Sequence, residues 1–231
     1  MLNLLLAEAA LEMIPKPLWH YASISKNTKS LGKKPGKTLL DRSYHHQAMI
    51  HLKDGAKRGR PDIVHFALLE ALGTPLNKEG LLRVFIHTLD NHIIYINPQV
   101  RLPRNYNRFK GLIEQLYADS KVPLTLNPLL QFREGNLTSL ISEIKPSYVL
   151  AFTRIGERKS LEEVIRPLLT QSNPVIIIGA FPQGHFSNET MNLVDISVSI
   201  YPTMLETNTV TSRVIYEYER LLGFGTKRCN Q

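Results

Sequence analysis

The sequence contains one cysteine, Cys229, in 231 residues. A lone thiol closes no intrachain disulfide and builds no cysteine-based metal site within one chain, so a reducing, cytoplasmic setting is expected. Long apolar runs are also missing. The longest later run, Val175-Ile176-Ile177-Ile178 with its flanks, falls far short of the roughly 18 residues that a membrane span needs, and no membrane partner is expected. The opening stretch from Met1 to Ile14 is apolar, but it has no basic start and carries Glu8 and Glu12, which argues against a secretory leader. The 14 prolines and 13 glycines follow no period, so collagen, solenoid repeats and low-complexity linkers are poor readings. The Gly-x-Ser-x-Gly elbow, His-Glu-x-x-His, the dinucleotide glycine fingerprint and the Gly-Lys-Ser/Thr phosphate loop are all absent. What remains is an ordinary folded composition, 43% hydrophobic, with room for a large core.

Acid is scarce where base is dense. The chain has 28 Lys and Arg against 20 Asp and Glu, a net charge of +8. Between Pro15 and Pro61 stand eleven Lys or Arg and only two acids, Asp41 and Asp54. Arg101, Arg104, Arg108 and Lys110 form a second cluster with no acid in ten residues. Such surpluses suit a polyanion. Lys26, Lys29, Lys33 and Lys34 read as solvated lysines on a mobile, glycine- and proline-rich loop. The arginines differ, because prolines in Arg101-Leu102-Pro103-Arg104 restrict the backbone and fix where the planar guanidinium groups point.

The periodicities predict an α/β protein. Leu2 to Ala7 reads as a buried strand, followed by a helical or turn segment ending near Pro15-Lys16-Pro17, a loop-rich basic stretch to about Leu39, and a short helix at His45 to Leu52. Asp62 to Leu72 reads as a helix between Pro61 and Gly73. Arg83 to Thr88 and His92 to Asn97 read as a hairpin, and Arg104 to Ala118 as a helix with Arg104 and Arg108 on one face. Strands at Tyr148 to Phe152, Val175 to Ile178 and Ile196 to Ile200 then alternate with helices at Leu161 to Leu169, near His185 to Leu193, and at Thr207 to Leu222. That rhythm implies a parallel sheet covered on both faces. Ligands of such sheets bind beyond the carboxyl ends of the strands, which singles out the loops Phe152 to Gly156, Gly179 to Gly184 and Tyr201 to Leu205. Gly179-Ala-Phe-Pro-Gln-Gly184 is either a plain glycine-rich turn or a loop that offers bare amides to an adenine-bearing cofactor. His45, His46 and His51 have no acid or cysteine at ligand spacing, so no metal is expected. Asp62 is either a carboxylate stabilised by its helix N-terminus or the holder of Arg60. The last helix carries Val210, Val214, Ile215, Tyr218 and Leu222, more apolar surface than one sheet face needs, which suits a dimer.

Three segments carry a resemblance: Asp41-Arg-Ser-Tyr-His-His46, Arg58-Gly-Arg-Pro-Asp-Ile-Val-His65 and Asn97-Pro-Gln-Val-Arg-Leu-Pro-Arg-Asn-Tyr-Asn-Arg-Phe109. Together with Gly179 to Gly184 and Ile200-Tyr201-Pro202 they resemble the archaeal branch of the ribosome-biogenesis pseudouridine methyltransferases of the SPOUT superfamily, over nearly the whole chain. The resemblance implies one domain over residues 1–231: a trefoil-knotted parallel sheet flanked by helices, with a basic extension at 15–60, a hairpin insertion, and the cofactor-binding knotted part at 148–231. It implies S-adenosylmethionine as cofactor, N1 of a pseudouridine in small-subunit ribosomal RNA as target, a homodimer, and other ribosome-assembly factors as further partners. By resemblance, Arg60, Arg101, Arg104 and Arg108 match RNA-contacting arginines, and Asp62 matches the acid that supports them and could accept a proton. Leu150, Gly179, Gly184, Val198, Ser199, Ile200, Tyr201, Pro202 and Thr203 match the cofactor loops. Two other readings stay open: a non-catalytic rRNA-binding assembly factor on the same fold, and a nicotinamide-dependent oxidoreductase, which lacks its fingerprint and leaves the arginines without a role.

Overall fold

A computed structural model describes residues 1–224; Cys229 lies outside the described residues. Its centre is β1 (Leu2–Ala9), buried along its whole length because it is covered on both faces. Alternate side chains part company: Leu2, Leu4 and Leu6 enter a large apolar core, whereas Leu5 and Ala7 enter a smaller one on the opposite face. Along the chain follow α1 (Ala22–Ser30), α2 (Arg42–Met49), α3 (Pro61–Gly73), α4 (Pro75–Lys78), β2 (Leu82–Thr88) and β3 (His92–Ile96). Then come α5 (Tyr106–Asp119), β4 (Lys121–Val122), β5 (Leu130–Glu134) and α6 (Leu137–Ile144). The remainder is β6 (Tyr148–Arg158), α7 (Leu161–Ile165), β7 (Pro174–Gly179), α8 (Asn188–Met191), β8 (Ile196–Ser199) and α9 (Thr207–Leu221).

Among the described residues the strands form one sheet in the order β4-β5-β3-β2-β1-β7-β6-β8. The pairs β2/β1, β1/β7, β7/β6 and β6/β8 are parallel, while β3, β5 and β4 continue the sheet antiparallel. α3, α5 and α9 cover the larger core, with Val64, Ala67, Phe109, Ile113, Val214 and Ile215 buried in it. α6 covers the other face through Leu137, Leu140 and Ile144. No helix among the described residues is long and apolar enough to cross a membrane.

Several expectations change. The stretch 15–39 contains α1 and two single-turn helices, and with α2 it builds its own apolar cluster of Ile14, Leu18, Ile24, Leu40, Ala48 and Met49. Its lysines therefore stand on built structure: Lys26 and Lys29 on α1, and Lys33 in an ion pair with Glu114 of α5. Helix α5 starts at Tyr106, because Asn105 caps it by accepting from the Arg108 amide at 3.1 Å; Arg104 is thus outside the helix and shares no helical face with Arg108. Phe152 to Gly156 is not a loop but the middle of β6, where its register against β8 breaks between Phe152 and Glu157. The apolar residues of α9 are not surplus: Val210, Val214, Ile215 and Tyr218 are all buried within the chain. β4, β5 and α6 were not anticipated.

Candidate active site

The middle of β6, where its register breaks, and the carboxyl ends of β7 and β8 open into one cleft. Ile178, Val198 and Val210 give it an apolar floor, Phe181 and Phe186 one wall, and the half-exposed Tyr201 and Met204 its rim. Thr207 closes the base, its hydroxyl donating at 2.8 Å to the Gly179 carbonyl where α9 meets β7. Gly179 and Gly184 are required by space and by backbone. A Cβ on Gly179 would stand 2.8 Å from the Phe181 ring, and Gly184 has φ +98°, in a region that side chains disfavour. The amides of Gly184, His185, Tyr201 and Met204 donate to no acceptor among the described residues. Free amides beside an apolar floor suit a flat heteroaromatic ring with polar edges, and so fit an adenine-bearing cofactor.

Of the expected cofactor residues, Gly179, Gly184, Val198, Ser199, Ile200, Tyr201 and Thr203 line this cleft. Leu150 does not: it is wholly buried in β6, paired with Ile176 and Ile196, and serves the core. Pro202 turns outward to a neighbouring shallow depression with Arg158 and Lys159. Sequence reasoning missed Phe186 and Thr207, whose spacing from the glycine loop carries no signal. Thr153 and Arg154, within the expected segment Phe152 to Gly156, do line the cleft, but from inside strand β6 and not from a loop.

Of the cationic groups, Arg60 is tied toward this cleft through Ala10 and Glu206, whereas Arg101 lines a separate depression with Leu72, Asn77 and Tyr95. Arg60 precedes α3 and grips Asp62 in a fork, Nε donating to Oδ1 at 2.8 Å and an Nη to Oδ2 at 2.7 Å. This bond holds the Arg60 pKa above its usual value against partial burial, with Glu206 at the start of α9 adding to the effect. Both oxygens of Asp62 are engaged by Arg60. Arg101, Arg104 and Arg108 are exposed and form no ion pair among the described residues. Their loop is nonetheless anchored: Asn77 donates to the Pro98 carbonyl at 3.0 Å and the buried His65 to the Pro103 carbonyl at 2.7 Å. His65 also stacks on Phe109 with ring centroids 4.3 Å apart, so α3 and α5 set the arginine loop between them. His65 was legible only as part of a motif, not as an anchor.

Asp41 ties the basic segment to the same place. It caps α2 through the Ser43 amide, and accepts from Tyr106 at 2.8 Å and Lys110 at 2.9 Å. Burial works against its charge, but Lys110 and the two other donors outweigh it and lower its pKa. His45 turns inward, accepting from the Asp41 amide at 3.0 Å and facing Asn27 at 3.1 Å; it is a packed, bonded histidine.

The end of β1 joins the loop after β7 to Arg60. Register between β1 and β2 slips by one residue after Leu6, a bulge in which Glu8 takes φ +50°. A conformation so sparsely populated costs on the order of 1 kcal/mol and re-aims the side chain. Beyond it, the Ala10 amide donates to the Ala180 carbonyl at 2.9 Å, and the Arg60 amide to the Ala10 carbonyl at 3.2 Å. Ala10 thus links the loop after β7 to the backbone of Arg60.

Comparison with known proteins agrees with this geometry. The model of the EMG1/NEP1 methyltransferase family matches residues 4–219. The chain is 45% identical over 221 residues to the ribosomal RNA small subunit methyltransferase Nep1 of Staphylothermus marinus, covering 95% of this chain and 96% of that one. Against the Nep1 of Thermococcus onnurineus it is 42% identical over 219 residues, covering 95% and 98%. Among solved structures, the crystal structure of Archaeoglobus fulgidus Nep1 bound to S-adenosylhomocysteine matches with a TM-score of 0.85 and 37% identity, over 96% of this chain and 98% of that one.

Proposed function

The chain belongs to the EMG1/NEP1 methyltransferase family, and from that premise we propose that it methylates N1 of a pseudouridine in small-subunit ribosomal RNA. It is an S-adenosylmethionine-dependent rRNA methyltransferase of the SPOUT type, with a part in small-subunit ribosome biogenesis. The observation that supports the finer reading is the short backbone path from Ala180 through Ala10 to Arg60, which links the loop after β7 to the Arg60–Asp62 fork. In the same reading the chain works as a cytoplasmic homodimer, alongside other assembly factors, and residues 148–231 thread as the cofactor-binding knotted part.

When bound, the cofactor supplies a methyl group on a sulfonium, which a ring nitrogen takes by in-line displacement. The protein must chiefly align the partners and exclude water. Arg101, Arg104 and Arg108 hold phosphates of a single-stranded loop, and their anchored backbone fixes the register of that loop. Arg60, held flat by Asp62, steadies the splayed nucleotide at the cleft mouth. Pseudouridine has a weakly acidic proton on N1 that uridine lacks, since the sugar is attached at carbon, and this proton must leave. With both its oxygens on Arg60, Asp62 acts first as an orienting group; accepting the proton is its second role, open to it once the base displaces one of these bonds. The cleft floor of Ile178, Val198 and Val210 keeps water from the transferring methyl.

The test is transfer of labelled methyl to two hairpins of identical sequence, one bearing pseudouridine and one uridine. The expected result is incorporation into the first alone, at N1 by mass spectrometry. Equal incorporation into both would overturn the target assignment.

A further inference from the structure

Behind the cofactor loop lies a buried ion pair with no part in the chemistry above. Glu8, only 4% exposed and set in the β1 bulge, pairs with Lys57 from the single-turn helix Gly55–Lys57. On its other side the Glu8 carboxylate accepts from the Ser187 amide at 2.8 Å and from the Thr190 hydroxyl at 2.7 Å. Lys57 in turn lies over the Phe181 ring, its ammonium 4.3 Å from the centroid, and its chain passes 3.3 Å from where a Cβ on Gly184 would be. The pair therefore holds the cleft loop at both ends, at Phe181 and Gly184 and again at Ser187. Lys57 is also rigidly continuous with the RNA side. Next to it, Arg58 Nε is fixed on Glu12 at 2.7 Å, and the Arg60 amide bonds the Ala10 carbonyl. Residues 8, 10 and 12 of one short stretch thus fasten residues 57, 60 and 58.

Resting on the reading of the cleft and the arginines given above, we propose that Glu8 and Lys57 are positioning residues that couple the two sites, so that RNA held by Arg60 and cofactor held by the Phe181–Ser187 loop bind cooperatively. Neither group lines the cleft. Tightening the 57–60 segment on RNA fixes Lys57, which fixes the ring and amides that the cofactor meets. Because coupling between sites is reciprocal, the factor by which RNA raises cofactor affinity must equal the factor by which cofactor raises RNA affinity.

The experiment is calorimetric titration of the full chain with S-adenosylhomocysteine, with and without a saturating pseudouridine hairpin, and hairpin titration with and without saturating S-adenosylhomocysteine. The wild type is expected to show about a fivefold or larger gain, equal in both directions. Glu8→Gln and the double variant Glu8→Gln/Lys57→Met, which leaves no lone buried charge, should reduce it to unity, while Lys57→Arg retains it. A wild type that binds each ligand independently of the other overturns the coupling and leaves the functional reading intact. A folded double variant with lower thermal stability but wild-type coupling overturns it as well, since the pair is then merely structural. A wild type that binds neither ligand overturns the functional reading, and the coupling with it.

Discussion

At the scale of single residues, the exposed arginines carry the charge surplus, whereas Asp62 offsets part of it to hold one arginine in place. Arg101, Arg104 and Arg108 have no acid partner among the described residues and stand exposed, so under the proposed function each is free to neutralise an RNA phosphate. Replacing any one with alanine should weaken hairpin binding and lower the slope of log affinity against log salt by about 1. Asp62→Asn keeps every cation and should leave that slope unchanged. It loses the charged fork at 2.7–2.8 Å on Arg60, and should lower methyl transfer by about tenfold or more, the scale of a charge-assisted hydrogen bond in a partly exposed setting. Salt-dependent anisotropy titrations and single-turnover rates check both. These residues were legible because arginine between prolines, and an acid two residues after arginine, are local patterns. Leu150 was carried over by resemblance and is core, since a continuous apolar run does not show which of its residues faces a cleft.

At the scale of elements, the failures have a common cause. The basic stretch before α2 looked like loop because its apolar residues are sparse, yet Ile14, Leu18 and Ile24 meet Leu40, Ala48 and Met49 across twenty-odd residues of chain. No window of periodicity registers such a cluster. Helix α6 was legible in principle, with Asn136 as its cap and apolar residues at 137, 140, 141 and 144; β5 was not, being an exposed five-residue strand. The junction of α2 and α5 yields a pH prediction. Burial depresses the His45 pKa to about 4, with Asp41 opposing and Lys110 assisting, against an ordinary value of 6.5. Below pH 6.5 the unfolded chain takes up a proton that the folded one refuses, so stability falls with pH through this window and is unaffected above it. At pH 5 the cost is about 2 kcal/mol. Urea unfolding at pH 7.5 and pH 5 should show His45→Gln losing about that much less stability between the two conditions than the wild type. An identical loss would place the histidine's proton balance elsewhere.

At the scale of the whole molecule, sequence rhythm foretold the parallel half of the sheet but not its order, in which residues 2–9 lie between residues 82–88 and 174–179. Strand order depends on which distant runs pair, and threading depends on the path between them; neither leaves a period in the sequence. That order has a consequence for stability. The cleft is walled by β6, β7, β8 and α9, and β7 pairs directly with the central β1, which also holds the Arg60 segment through Ala10. A ligand in the cleft should therefore stabilise the sheet as one unit instead of a detachable C-terminal half. S-adenosylhomocysteine at one hundred times its Kd should add about 2.7 kcal/mol. For a chain of this size that raises Tm by about 5–10 °C. Calorimetry should show a single transition moving as a whole. Two transitions, of which only the upper one moves with ligand, would mean that the basic segment, with its own small core, melts apart from the sheet; the path from Ala180 through Ala10 to Arg60 would then be too weak to join the two sites.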